Sequence, residues 1–227
     1  MTKSAMAIPV TRTGLDRSAP FGFTCKRCLQ CCKNKKIQVN PYEIARLAHH
    51  LGISTTEFIE LCTVENGSFL KFNDDGSCLF LGADGCSVHS DRPLVCRLYP
   101  LARHVNQKNE EWFSELEPEA GCRGSYRTDE TIAGYLEGEN APAYMQAANI
   151  YLNLLWEMMS ELETRQDEPS DEPPVEENIT PENWLDMHAV VTGYCLRRQL
   201  EIPRSVNEQM RLHVEALQQW IKPTQKE

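Results

Sequence analysis

"FTCKRCLQCCK", residues 23–33, places four cysteines within eight positions and two of them side by side. How those thiols are read decides the fold, because a run so short and so rich in sulfur either closes on disulfides or folds around metal. Cys25, Cys28, Cys31 and Cys32 follow C-x2-C-x2-C-C. The C-x2-C step is the interval at which a tight turn lets two sulfurs grip one ion. Wound as a helix at roughly 100° per residue, Cys25, Cys28 and Cys32 fall within about 60° of one another and Cys31 turns aside; in an extended chain Cys31 and Cys32 point to opposite faces. The adjacent pair therefore fits poorly at one mononuclear tetrahedral site. Three arrangements stay open: a multinuclear cluster, two neighbouring centres, or one ligand beside a spare thiol, either Cys31 or Cys32.

The rest of the composition favours metal over covalent staples. With 227 residues, 41% of them hydrophobic, the chain has apolar material for a real core. The first twenty residues hold no signal-type apolar run, and no later stretch approaches the roughly eighteen apolar residues of a membrane helix, so a cytoplasmic, non-membrane protein is expected. Disulfides rarely persist in a reducing cytosol, which leaves disulfide staples as the weakest reading of the ten cysteines. A net charge of −10 excludes a general nucleic-acid binder. Between Pro20 and Asn40, however, Lys26, Arg27, Lys33, Lys35 and Lys36 stand without an acid, whereas residues 110–119 hold five glutamates and no base. Bases interleaved with thiols are expected to offset thiolate charge and lower thiol pKa values.

Four more cysteines, Cys78, Cys86, Cys96 and Cys122, follow in turn-rich sequence and bring the candidate ligands to eight. Eight thiolates suit two four-cysteine zinc sites, two four-cysteine iron–sulfur clusters, or one cluster beside a different site. The ferredoxin spacing is matched only in part, since Lys33 follows the run and no x3-C-P ending is present. Arg92 stands four residues before Cys96, so on a helix its guanidinium, with Arg97 nearby, could donate to a ligand sulfur; a clamp on a substrate anion is the alternative. His49, His50, His104, His188 and His213 lack ligand spacing beyond the adjacent pair and read as structural or exposed. Cys62 reads as core.

The organisation expected is α+β and mostly helical: a small cysteine-rich metal-bound unit with a β-hairpin, surrounded by helices, and a C-terminal helical hairpin. Asn40, Pro41 and Glu43 open one helix closed by Gly52, and Ser54 with Glu57 opens another. "SFLKFNDDGSCLFLG" reads as a β-hairpin turning at residues 73–76. A short proline-led helix from about Arg92, a strand in "LARHVNQ", a short helix in "TDETIAGYLEG" and a long helix from about Pro142 to Glu163 follow. The expected domains are 20–165, a cysteine-cluster domain with its closing helix; 166–179, an acidic proline-rich disordered linker; and 180–222, a helical hairpin. The apolar residues of that hairpin, Trp184, Met187, Val191, Cys195, Met210, Leu217 and Trp220, are expected to dock on the first domain, with an unknown protein partner as the alternative.

Together, CKRCLQCC, CLFL, GCSVHSDRPLVCRLYP and GCRG resemble the CxxCxxCC (YkgJ-like) family of zinc- or iron-chelating cysteine-cluster proteins, over roughly residues 20–125. The resemblance implies as ligands Cys25, Cys28, Cys31, Cys32, Cys78, Cys86, Cys96 and Cys122, with Arg92, Pro93, Arg97, Tyr99 and Pro100 around them. His89 stands where that family often has tyrosine, so it either ligates or packs. One branch is similar to flagellin lysine N-methylases, yet no G-x-G turn and no C-x3-C-x2-C is present here, and Lys35 stands where the third cysteine of that spacing would be. The expected cofactor is an iron–sulfur cluster, four-iron four-sulfur first, or zinc. The expected roles are a redox, sensing or unidentified enzymatic function, then a structural zinc module for protein interaction, then a protein lysine methyltransferase.

Overall fold

In the computed structural model, which describes residues 9–167 and 179–221, the first half of the chain runs β1 (Val10–Leu15), β2 (Pro20–Thr24), α1 (Pro41–Leu51), α2 (Thr55–Cys62), β3 (Thr63–Val64), β4 (Phe69–Leu70), β5 (Leu81–Gly82), β6 (Gly85–Cys86) and α3 (Leu94–Leu98). There follow β7 (Leu101–Val105), β8 (Glu111–Leu116), β9 (Ser125–Thr131), α4 (Ile132–Gly138), α5 (Pro142–Asp167), α6 (Met187–Arg198) and α7 (Val206–Ile221). Helix at 43% outweighs strand at 21%, so the chain is α+β and mostly helical. Of the acidic segment expected as a linker, residues 168–178 lie outside the described residues. No helix among the described residues is long and apolar enough to cross a membrane.

The chain divides into two units. The first comprises the described residues up to Lys35 together with Asn73–Ser87 and Pro93–Ala143. Its three-stranded antiparallel sheet has the order β1-β8-β7, and β2 pairs with β9 in a separate ladder. The acidic run at 110–119 is not left unbalanced: it forms β8, and arginines reach it from the neighbouring segments. Arg12 binds Glu115 (2.5 Å), while Arg17 and Arg103 both bind Glu111 (2.6 Å each). Burial opposes ionisation of Glu111, and the two guanidinium hydrogen bonds outweigh it and hold the carboxyl below its usual range. Fully buried Phe21 meets Tyr135 edge-on at 4.9 Å, and Phe23 meets Tyr126 at 5.3 Å. Each buried ring contributes about 1.5–3 kcal/mol over exposure, so this cluster fixes the ladder whose end carries the first cysteine.

The second unit comprises Lys36–Phe72, Val88–Arg92 and the described residues from Tyr144 onward. Both predicted capping boxes form: Asn40 with Glu43 at α1 and Ser54 with Glu57 at α2. Gly52 closes α1 at φ 72°, a conformation glycine adopts without steric cost. Asp186 caps α6 through the Ala189 amide and accepts hydrogen bonds from the hydroxyls of Thr55 (2.5 Å) and Thr56 (2.6 Å), tying the start of α2 to the start of α6. Met187, Val191, Cys195 and Leu217 are buried as α6 packs on α2 and α7, and α7 on α1. His213, fully buried, donates from Nε2 to the Trp184 carbonyl (3.0 Å) and accepts from the Tyr151 hydroxyl at Nδ1 (2.9 Å). Burial lowers its pKa to about 4, which keeps the ring neutral, and the Trp184 carbonyl, which can only accept, sets that tautomer.

Several expected elements differ in detail. The turn at 73–76 forms, with the Gly76 amide bonded to the Asn73 carbonyl (2.9 Å) and the Asn73 amide to the Ser77 carbonyl (2.8 Å), but no regular two-stranded ladder extends from it. β4 pairs with β3, and β5 turns at once onto β6. Turns occupy 181–185, so α6 starts at Met187 rather than near Thr180, because Asp186 rather than Thr180 supplies the cap.

Candidate metal centre

All eight cysteines singled out in the sequence belong to the first unit, and all ten cysteines of the chain are thiols. Cys62, read as core, and Cys195, read as part of the apolar face of the C-terminal hairpin, are buried in the second unit. The cysteine run is neither an α-helix nor an extended strand. Residues 25–29 have no regular structure, a 3-10 turn spans Gln30–Cys32, and Arg27 (φ 48°), Leu29 (φ 65°) and Asn34 (φ 52°) adopt left-handed backbone. For non-glycine residues such backbone costs roughly 1–2 kcal/mol each.

What those turns do is aim amides at sulfur. The Arg27 amide donates to Cys25 Sγ (3.3 Å), and the Gln30 amide donates to Cys28. The same step recurs far along the chain: the Phe80 amide donates to Cys78 and the Gly124 amide to Cys122 Sγ (3.4 Å). Four of the eight sulfurs thus accept the N–H of the residue two positions on, and Cys28 accepts a second from Arg123. Amide donors stabilise thiolate over thiol and tune any metal bound to it. Neither residue type nor spacing announced these donors, because they are backbone groups whose aim is set by φ and ψ.

Three structures bring the later cysteines to the run. The Cys78 amide donates to the Cys32 carbonyl (2.9 Å), and β5–β6 sets Cys86 opposite Leu81. Cys96 rides on α3. Cys122 enters on a loop pinned twice: Glu119 pairs with Lys35, and the Glu119 amide donates to the Tyr99 hydroxyl (2.7 Å). Tyr99 is itself held by Tyr135, whose hydroxyl donates to the Tyr99 carbonyl (2.9 Å), and burial pushes its phenol up to about 12. The sequence marked Tyr99 only as part of a motif; its contact with the loop shows what it does.

The thiols are electrostatically distinct. Cys31 and Cys32 place their sulfurs 4.0 Å apart, and the Cys32 thiol donates to Cys31. That hydrogen bond lowers Cys31 to about 7, with Lys35 adding to the effect, and raises Cys32. The Gln30 and Arg123 amides lower Cys28. Burial raises Cys78 and Cys122. Amides and a neighbouring thiol therefore outweigh the interleaved bases expected to do this. Lys26 and Arg27 are exposed, and Lys36 belongs to the second unit, where it pairs with Glu65 (2.8 Å).

Of the three residues marked around the later cysteines, Arg97 lies on α3 with Cys96, and His89 and Arg92 precede it. α3 starts at Leu94, so Arg92 precedes it, lies in the second unit and donates to the His89 carbonyl (2.6 Å); His89 is exposed there. Arg97 is 3% exposed and donates to the Glu139 carbonyl (3.0 Å). As donors for a metal the thiols fit by their chemistry: eight soft ligands in one unit, of which Cys28 and Cys31 are shifted toward thiolate. Among the described residues no three His, Cys, Asp or Glu side chains stand close enough to hold one ion as they are.

No curated protein and no solved structure matches the chain significantly. One family model does match, over residues 24–118; it takes in seven of the eight cysteines and ends four residues short of Cys122. Over those residues the chain matches the model of the CxxCxxCC family, described as "Putative zinc- or iron-chelating domain".

Proposed function

We propose that the thiols of the first unit hold iron–sulfur clusters, and that the protein serves in electron transfer or redox sensing. The observation that carries this reading is the amide donor placed on each of Cys25, Cys28, Cys78 and Cys122. Hydrogen bonds to ligand sulfur are one of the means by which a protein sets a cluster's reduction potential. A bound cluster supplies reversible one-electron transfer. The chain's own residues do the rest: amides offset the thiolate charge, Tyr99 and Lys35 hold the Cys122 loop, and Phe21 and Phe23 anchor the ladder that delivers Cys25. Purification without oxygen, followed by iron and acid-labile sulfide analysis, tests the reading. Iron and sulfide in comparable amounts are expected; a colourless protein loaded with zinc alone contradicts the iron–sulfur assignment.

A further inference from the structure

We propose that the eight thiols form two separate sets of four, so that the adjacent cysteines serve different centres: Cys25, Cys28, Cys31 and Cys122 in one, and Cys32, Cys78, Cys86 and Cys96 in the other. The inference rests on the metal-holding reading above and adds to it the number of centres and the assignment of each ligand.

The first set is gathered by the β2–β9 ladder. Its last pair is Thr24 with Ser125, so Cys25 and Gly124 leave the ladder side by side, and Cys122 follows two residues on. The Arg123 amide donates to the Cys28 sulfur, the Cys28 and Cys122 thiols are hydrogen-bonded, and Cys31 lies within electrostatic reach of both. The second set is gathered by the turn and hairpin that follow Asn73. Lys33 bridges to Ser77, and the Cys78 amide binds the Cys32 carbonyl, which brings this segment against the end of the run. The Leu81 amide returns to the Cys78 carbonyl (2.9 Å) and Leu81 faces Cys86, so one hairpin carries both thiols. Cys32 lies within electrostatic reach of Cys86 and Cys96.

The division at Cys31 and Cys32 has a simple cause. Their sulfurs meet 4.0 Å apart on a 3-10 turn, and the other thiols divide between them: Cys28 and Cys122 lie within electrostatic reach of Cys31, and Cys86 and Cys96 within that of Cys32. Adjacent cysteines that fit poorly at one tetrahedral ion are thereby the natural donors to two.

Native mass spectrometry of the full chain purified without oxygen counts the centres directly, and needs no variant to do so. Two separable mass increments, each an ion or a cluster, are expected. Cys122→Ser removes one increment and keeps the other, Cys86→Ser removes the other, and circular dichroism confirms that each variant retains its helices. A single increment in the unmodified chain overturns the division while leaving metal binding intact, and so does loss of the same increment in both variants. No increment at all overturns both this inference and the function it rests on.

Discussion

Cys31 and His213 show how position sets the chemistry of one side chain. With its pKa near 7 against an ordinary 9.0, Cys31 is about half thiolate at pH 7, roughly fifty times the fraction of an unperturbed thiol. A less basic thiolate is also a weaker nucleophile, by about tenfold over two units, so the net gain in rate is several-fold. In metal-free protein, iodoacetamide mapped by mass spectrometry is expected to label Cys31 with a midpoint near pH 7 and to leave Cys32 thiol-like; equal labelling with a midpoint near 9 contradicts the pairing. His213 acts on stability instead. Its folded pKa of about 4 lies below the unfolded value of 6.5, so between those values the unfolded chain takes up a proton that the native ring refuses. Stability is therefore full above pH 6.5 and falls as the pH drops toward 4, by on the order of 3 kcal/mol. Urea midpoints followed across that range check it, and a flat profile counts against a buried neutral ring.

At the scale of elements, local chemistry was legible and distant pairing was not. The caps of α1 and α2, the strand β7 and the long helix α5 could be read because Asn40, Pro41, Ser54, their glutamates and the apolar periodicity act within a few residues. β1 and β9 were missed. β1 is polar and exposed along most of its length, and its partner β8 lies about a hundred residues away, so the pairing that makes it a strand is invisible locally. The same limit applied at the site: spacing identified the eight thiols, while their order around the Cys31–Cys32 pair depends on the β2–β9 ladder and the hairpin at 78–86. Asp186 went unread as well, since its work is done across α2 and α6. Replacing it with alanine removes a cap and leaves the Thr55 and Thr56 hydroxyls without their acceptor, a cost of about 2 kcal/mol in denaturant unfolding. A loss under half that size means the carboxylate holds neither helix start firmly.

Across the whole molecule, the eight thiols are confined to one of the two units. The first carries them on loops, a short hairpin and α3 beside a core that includes Phe21, Phe113, Ile132 and Leu136, whereas α1, α2, α6 and α7 of the second bury an apolar core that holds none of them. A strong chelator applied without oxygen is expected to raise hydrogen exchange in residues 24–35, 76–87 and 119–125, while amides of α1, α6 and α7 stay protected; uniform exposure of both units contradicts that division. The central claim is that sulfur from this one chain surrounds bound metal. X-ray absorption at the iron and zinc edges, on protein purified without oxygen, tests it most directly. A first shell of sulfur alone at about 2.3 Å is the result expected. A first shell of nitrogen and oxygen, or no metal at either edge, contradicts it.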